Sequence, residues 1–149
     1  GDADAILLAF AGLKRLGLEH LPRSLIDPVE CPPAPGQGAL AIETRIGDCD
    51  APWVQAIKHG PTTVAVAAER GALTALEGSC KTAIGAHAWF EGAHLKLIVE
   101  ALSNDGARRF RHQGEADMVE LADAEASARA LGVSLGAAVK SEAGEAISF

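Results

Sequence analysis

The chain has 149 residues, of which 48% are hydrophobic and 22% charged. It is long enough for one or two small domains with a buried core, and its composition is that of a folded globular protein rather than a disordered one. The net charge of −7, the aromatic content of 4% and the lack of Tyr argue against nucleic-acid binding. We find no apolar run of the ~20 residues needed for a membrane span, no signal peptide and no closely spaced cysteine pair, so we expect a cytoplasmic protein with free thiols.

The first 35 residues predict a strand, a helix and an irregular connector. Residues 5–10, "AILLAF", form the continuous apolar run typical of a strand covered on both faces. A helix over residues 11–18 follows, with Lys14 and Arg15 near its end. Five prolines then fall between residues 21 and 35, where they remove backbone donors and restrict their neighbours. Because the chain begins without Met and in the middle of an apparent strand, we expect a piece of a longer parent protein.

The segment "PGQGALAIETR" places Gln37 between Gly36 and Gly38. It is not a phosphate-binding loop, because it lacks the Gly-Lys-Ser/Thr ending and opens no clear helix. It is either a tight hinge or a place where backbone N–H groups lie close to a ligand. Residues 39–44 then alternate as a strand would, and a short helix is predicted from about residue 50 to 59. Gly60–Pro61 is a candidate domain boundary.

The residues after this boundary predict an α+β fold. A helix over residues 64–77, capped by Thr62 or Thr63 and ended by a left-handed Gly78, precedes three antiparallel strands at 84–90, 95–101 and 108–113. Turn residues separate the strands, and the polar third strand is expected at an edge. Two further helices are predicted at 117–131 and 134–143. One face of the sheet would carry the helices.

Cys80 follows the predicted helix in "LEGSC" and stands beside Lys81. A neighbouring cation lowers the pKa of a thiol, so this Cys is either a ligand-attachment point, a nucleophile or a structural residue. A hydrolase would need a positioned His, for which His87 and His94 are candidates. No metal site is predicted, because these residues lack the short paired spacing of zinc ligands.

The basic residues have competing interpretations. Arg15 favours the end of its helix electrostatically, or it clamps a carboxylate with its planar fork. Three arginines of the third strand are most simply a solvated edge: Arg108, Arg109 and Arg111. The adjacent Glu69 and Arg70 are most simply structural.

Three blocks of the sequence, in this order, resemble the porphobilinogen deaminase (hydroxymethylbilane synthase) family: "DAILLAFAGLKRLGL", "PAPGQGALAIETR" and "AERGALTALEGSCKTAIGAHA". The resemblance implies a transferase of tetrapyrrole (heme and chlorophyll) biosynthesis, which joins four porphobilinogen molecules with loss of ammonia. It implies that Cys80 carries a dipyrromethane cofactor through a thioether and that Gly38 also contacts this cofactor. It further implies that Arg15 and Gln37 bind substrate.

The resemblance also implies a domain division and a missing half. Residues 1–33 would end the family's second domain, 34–60 would return to its first, and 61–149 would form the cofactor-carrying third domain. The family's catalytic aspartate has no counterpart here, so none of these 149 residues is assigned a catalytic role. We therefore expect the chain alone to be inactive and without cofactor. The parent would be a monomer, and the chain alone would be disordered or would self-associate in residues 1–60.

Two other function classes stay open at this point. One is a non-catalytic ligand-binding or interaction module that reuses the fold. The other is a hydrolase that depends on Cys80 together with His87. Replacing Cys80 in the parent distinguishes the three, because only the deaminase would lose a covalent cofactor.

Overall fold

A computed structural model describes residues 3–21, 24–77, 82–118 and 123–147. The described residues contain four α-helices, three strands and two 3₁₀ turns. The helices are α1 Phe10–Arg15, α2 Pro52–Ile57, α3 Gly60–Ala75 and α4 Ala124–Ala143, the strands are β1 Ile84–Glu91, β2 His94–Leu102 and β3 Arg109–Asp117, and the 3₁₀ turns are Ile46–Asp48 and Gly144–Ala146. In this part of the chain no helix combines the length and the apolarity needed to cross a membrane.

The sheet is antiparallel in the order β1-β2-β3, as the sequence predicts. Glu91 leads into a tight turn at Gly92, whose φ is 61°, and the second turn contains Gly106 with a φ of 70°. Both turns need a left-handed residue, which glycine supplies without steric cost. The predicted edge position of β3 is confirmed.

One face of the sheet, here called the inner face, carries the hydrophobic core. The alternating positions predicted for this face are buried or half-buried, and α3 and α4 pack on them and on each other. Burying such side chains supplies most of the favourable free energy of folding. The predicted α+β architecture, with helices on one face, is therefore confirmed. The core strand residues of this face are Ile84, Ala86, Ala88, Phe90, Leu95, Leu97, Val99, Ala101 and Phe110.

The closing region is helical as predicted, but its division into two helices and its start at residue 117 are wrong. A single helix, α4, runs through residues 132–134, and residue 117 belongs to β3. Gly132 lies in the gap between the two predicted helices. In the structure it lies where α4 crosses α3 so closely that a Cβ would stand 1.9 Å from the Ala68 carbonyl oxygen. Tight tertiary packing thus overrides the low helix propensity of glycine.

The opposite face of the sheet, here called the outer face, is crossed by the proline-rich connector. Arg111 donates hydrogen bonds to the carbonyl oxygens of Val29 and Glu30. A Cβ on Gly85 would lie 2.5 Å from the Pro32 carbonyl oxygen, so glycine permits this close approach. The connector is irregular as predicted, but its docking on the sheet was not foreseen.

The two strands predicted before residue 60 are wrong. Residues 5–9 and 39–44 form no strand, and their apolar side chains are exposed, as in Leu7 at 81% and Leu40 at 96%. A buried strand needs sheet neighbours, and none lies beside these residues in the described part of the chain. The short helices are confirmed near their predicted places, with Pro52 in the first turn of α2.

Helix α3 begins earlier than predicted. The cap predicted at Thr62 or Thr63 is wrong, because His59 is the N-cap and its Nδ1 accepts the Thr62 N–H at 3.4 Å. Gly60 and Pro61 form the first turn of the helix. The predicted left-handed cap falls on Gly78, which lies outside the described residues, whereas Glu77 before it has a φ of 51°.

Candidate functional site

The connection that carries Cys80 joins the end of α3 to the start of β1. Cys80 and Lys81 lie outside the described residues, so the predicted reactivity of this thiol stays a prediction. Both flanks of the connection are well anchored. Leu76, the C-cap residue of α3, is fully buried in the core. At the start of β1, the Ile84 N–H donates to the Thr82 carbonyl at 2.9 Å.

Glu77 opens this connection and ties it to the last turn of α4. Its Oε2 lies 2.8 Å from Nζ of Lys140, and both side chains are partly or largely exposed. The hydrogen bond and charge of Lys140 hold the pKa of the Glu77 carboxyl below its ordinary range. The ion pair therefore restrains the first residue of the Cys80 connection.

We expect this restraint to weaken in acid. A carboxyl whose pKa is lowered on folding contributes stability above its unfolded pKa, and this contribution is lost as pH falls through the folded pKa. An NMR titration of the Glu77 side-chain carboxyl carbon should show the lowered pKa, and Lys140→Met should move it back toward the ordinary range. Lys58→Met is the matched control, since Lys58 pairs with Glu125 instead. An identical Glu77 titration in wild type and Lys140→Met would contradict the assignment.

The Gln37 segment forms a compact turn. The Oε1 atom of Gln37 accepts the Ala34 N–H at 3.2 Å, and the backbone N–H of Gln37 donates to the Ala34 carbonyl at 3.0 Å. Gly36 has a φ of 75°, a conformation that favours glycine. Gln37 and Gly38 are exposed, and no atom lies within 4 Å of where a Gly38 Cβ would stand. The Gly38 backbone and the Gln37 side chain are therefore exposed at the surface of this turn.

A groove of about 970 Å³ runs beside this turn. Gly36, Gly38 and the loop residues 39–42 line it, together with residues of α2, α3 and the start of α4. Its walls mix apolar side chains with cations, one of which, Lys58, is paired with Glu125 at 3.1 Å. The groove could thus hold a ligand that combines apolar and anionic parts. Its other basic residues are His59, Arg70 and Arg129, and Cys49 and Asp50 line it as well.

Arg15 lies in the last turn of α1 and is exposed. In the described part of the chain, no hydrogen bond or ion pair joins it to Gln37 or Gly38. Its guanidinium is available to a carboxylate from solution. The structure brings Gly38 to the groove but does not bring Arg15 to it.

The histidines considered for a hydrolase or a metal site belong to the sheet. The ring of His87 stacks on Trp89 with centroids 5.3 Å apart, and His94 opens β2 opposite Glu91. Within the described ranges no group of three or more His, Cys, Asp or Glu side chains is arranged to hold a metal ion. Cys80 is outside those ranges, so its pairing with either His is untested.

Two charged residues, Arg111 and Glu69, make contacts that the sequence does not predict. Arg111, predicted to be a solvated edge residue, is only 23% exposed and lies 3.1 Å from the Glu100 carboxylate. The register pairs these two positions across β2 and β3, so opposite charges at facing positions were the available signal. Glu69, predicted to be structural, is a buried acceptor for two distant backbone N–H groups. No sequence signal links those donors.

Comparisons with known proteins assign both parts of the chain to the same protein family. The family model described as "Porphobilinogen deaminase, dipyromethane cofactor binding domain" matches residues 1–52. The model described as "Porphobilinogen deaminase, C-terminal domain" matches residues 63–141.

Individual relatives carry the same name. Porphobilinogen deaminase of Phenylobacterium zucineum is 71% identical over 147 residues, which is 99% of this chain and 46% of that protein. The protein of Caulobacter vibrioides is 62% identical over 147 residues, 99% of this chain and 45% of its own length. The protein of Ralstonia nicotianae is 44% identical over 128 residues, 85% of this chain and 38% of its length. The chain thus spans less than half the length of these relatives.

Proposed function

Because this chain belongs to the porphobilinogen deaminase family, we propose that it is the C-terminal part of a parent enzyme that joins four porphobilinogen units head to tail, releasing ammonia at each step. The observation that carries this proposal is the match of two family models in chain order, together with a relative that is 71% identical across nearly the whole chain. No observation favours a separate binding module or a hydrolase.

Cys80 is proposed as the attachment point of dipyrromethane. A thiolate is a good nucleophile, and the C–S bond to the pyrrole methylene forms as the C–N bond of the aminomethyl group breaks and its amine, once protonated, leaves as ammonia. The short connection between the buried end of α3 and β1 would keep such a group on a limited tether. When bound, this group would offer its free end as the starting point of the growing pyrrole chain. The name of the family model over residues 1–52 shows that dipyrromethane binding belongs to this family.

Arg15, Gln37 and Gly38 are proposed to contact substrate or cofactor. Porphobilinogen carries acetate and propionate groups, which the planar guanidinium of Arg15 can bind through two parallel hydrogen bonds. The Oε1 atom of Gln37 already accepts a hydrogen bond within the turn. The side chain is exposed, so its amide N–H₂ is the group that would donate to a ligand. The open space around Gly38 lets a ligand approach the backbone. Proton transfer to the leaving amine is assigned to the parent's other half, where the family's catalytic aspartate lies.

The exposed apolar residues of the first 60 positions fit the same proposal. Ile6, Leu7, Leu8, Leu40 and Ile46 are all more than half exposed. Clusters of exposed apolar side chains mark interaction surfaces. We propose that in the parent enzyme they pack against the part that lies outside these 149 residues. In the chain alone, the same side chains would lead to self-association.

The test is the intact mass of the parent protein beside its Cys80→Ser form. We expect active wild-type parent to carry an added mass equal to dipyrromethane and Cys80→Ser to lack both the mass and the activity. Cys31→Ser and Cys49→Ser are matched controls, because both thiols are exposed and free, and they should keep the added mass. The 149-residue chain alone should show neither added mass nor turnover. An unmodified but active parent would overturn the role of Cys80.

A further inference from the structure

Glu69 lies on α3 with only 8% of its surface exposed, yet its carboxylate bonds two backbone groups far away in the sequence. Oε2 accepts the Gly36 N–H at 2.7 Å, and Oε1 accepts the Ala88 N–H at 2.9 Å. Hydrogen bonds to an ionised acceptor are stronger than those between neutral groups. One side chain therefore joins the Gln37 turn, helix α3 and strand β1.

These bonds also complete the free edge of the sheet. Strand β1 pairs with β2 on one side only, and its other edge leaves N–H groups to be satisfied. The Ala86 N–H donates to the Pro33 carbonyl at 2.9 Å, and the next N–H on this edge, from Ala88, donates to Glu69. The connector and the Glu69 carboxylate thus take the place of a neighbouring strand.

The position of Gly36 sets the position of the two residues that follow it. Gly36 adopts a left-handed φ of 75°. Two hydrogen bonds between Ala34 and Gln37, one to the Gln37 side chain and one from its backbone N–H, close the turn around it. A compact turn of this kind moves as a unit. Fixing the Gly36 N–H to α3 therefore fixes how Gly38 faces the groove and how the exposed Gln37 side chain is held beside it.

We propose that Glu69 is a positioning residue, which holds the Gln37–Gly38 turn against the α3–β1 unit so that the turn presents its ligand-contacting groups in one orientation. The ligand-contacting role of Gln37 and Gly38 rests on the proposed function. The hydrogen bonds of Glu69 are observed independently of it. Glu69 acts through this turn and touches no reacting atom.

The first test measures amide hydrogen exchange in the parent protein. Glu69→Gln keeps the size of the side chain but leaves one acceptor oxygen for two donors, so one of the Gly36 and Ala88 amides should exchange about tenfold faster or more. Glu69→Ala should release both. Glu145→Gln is the matched control, because it removes the same charge from an exposed site, and it should change neither amide.

The second test separates positioning from stabilisation in the parent enzyme. Glu69→Gln should raise the KM for porphobilinogen by about threefold to tenfold while kcat per folded molecule changes little, as expected when ground-state binding is lost. A purely structural role would lower the amount of folded enzyme and leave KM unchanged. Glu145→Gln should leave both constants at wild-type values.

The outcomes are distinguishable. Unchanged exchange at both amides in Glu69→Gln overturns the inference, whatever the parent enzyme does. Faster exchange with an unchanged KM overturns the positioning role and leaves a stabilising one. The turnover of the wild-type parent is measured before any Glu69 variant is assayed. A wild-type parent without turnover would contradict the proposed function, not the role of Glu69.

Discussion

Gly132→Ala is expected to destabilise the α+β unit by about 3 kcal/mol or more, the upper end of the cost of overpacking a core. A Cβ at this position would stand 1.9 Å from the Ala68 carbonyl oxygen and 2.8 Å from the Ala72 backbone nitrogen. Both are backbone atoms of α3, which no rotamer change can move away. The helices would have to separate, and the core beneath them would open.

Chemical denaturation followed by circular dichroism measures this effect. The control is Gly12→Ala in the exposed helix α1, where no other group lies within 4 Å of the new Cβ. There the substitution should be neutral or stabilising by up to about 1 kcal/mol, because Ala lowers the entropy of the unfolded chain. Equal midpoints for Gly132→Ala and wild type would show that the two helices do not cross at this glycine.

Arg111→Met is expected to destabilise the protein by about 1–3 kcal/mol and to loosen residues 29–30 of the connector. The Glu100 side chain is only 12% exposed and would lose its closest cation, at 3.1 Å. Arg109, at 3.7 Å, would compensate only in part because it is 58% exposed. The carbonyl oxygens of Val29 and Glu30 would lose the same donor.

A double-mutant cycle isolates this interaction. Glu100→Gln combined with Arg111→Met removes the uncompensated charge, so the double variant should be more stable than Arg111→Met alone. Arg109→Met is the matched control, with an expected cost below about 1 kcal/mol for an exposed pair. Faster amide exchange near residues 29–30 in Arg111→Met would report this loosening of the connector. Strictly additive free energies of unfolding would show that Arg111 and Glu100 do not interact.

The sheet and its core could be predicted because their signals are local. Alternation in 84–90 and 95–101 assigns each side chain to a face, and turn residues fix where the strands end. The sequence blocks around Gln37 and Cys80 identified the family in the same way, through residues that are close together in the chain. None of these conclusions required knowledge of a distant contact.

Other features depend on contacts between distant residues. Gly132 is a poor helix former, and only its closeness to Ala68 explains why α4 continues through it. Glu69 meets Gly36 and Ala88, which are 33 and 19 residues away in sequence. Residues 5–10 have the pattern of a buried strand but form none, since such a strand exists only beside partners.

The sequence by itself determined the family, the α+β class, the inner face of the sheet and the segments in which Gln37, Gly38 and Cys80 stand. Only the tertiary structure decided that one helix closes the chain, that the connector covers the outer face, and that Glu69 links the Gln37 turn to β1. The physical reason is that periodicity and turn chemistry act over a few residues. Close packing and buried hydrogen bonds, in contrast, depend on which distant atoms the fold brings together.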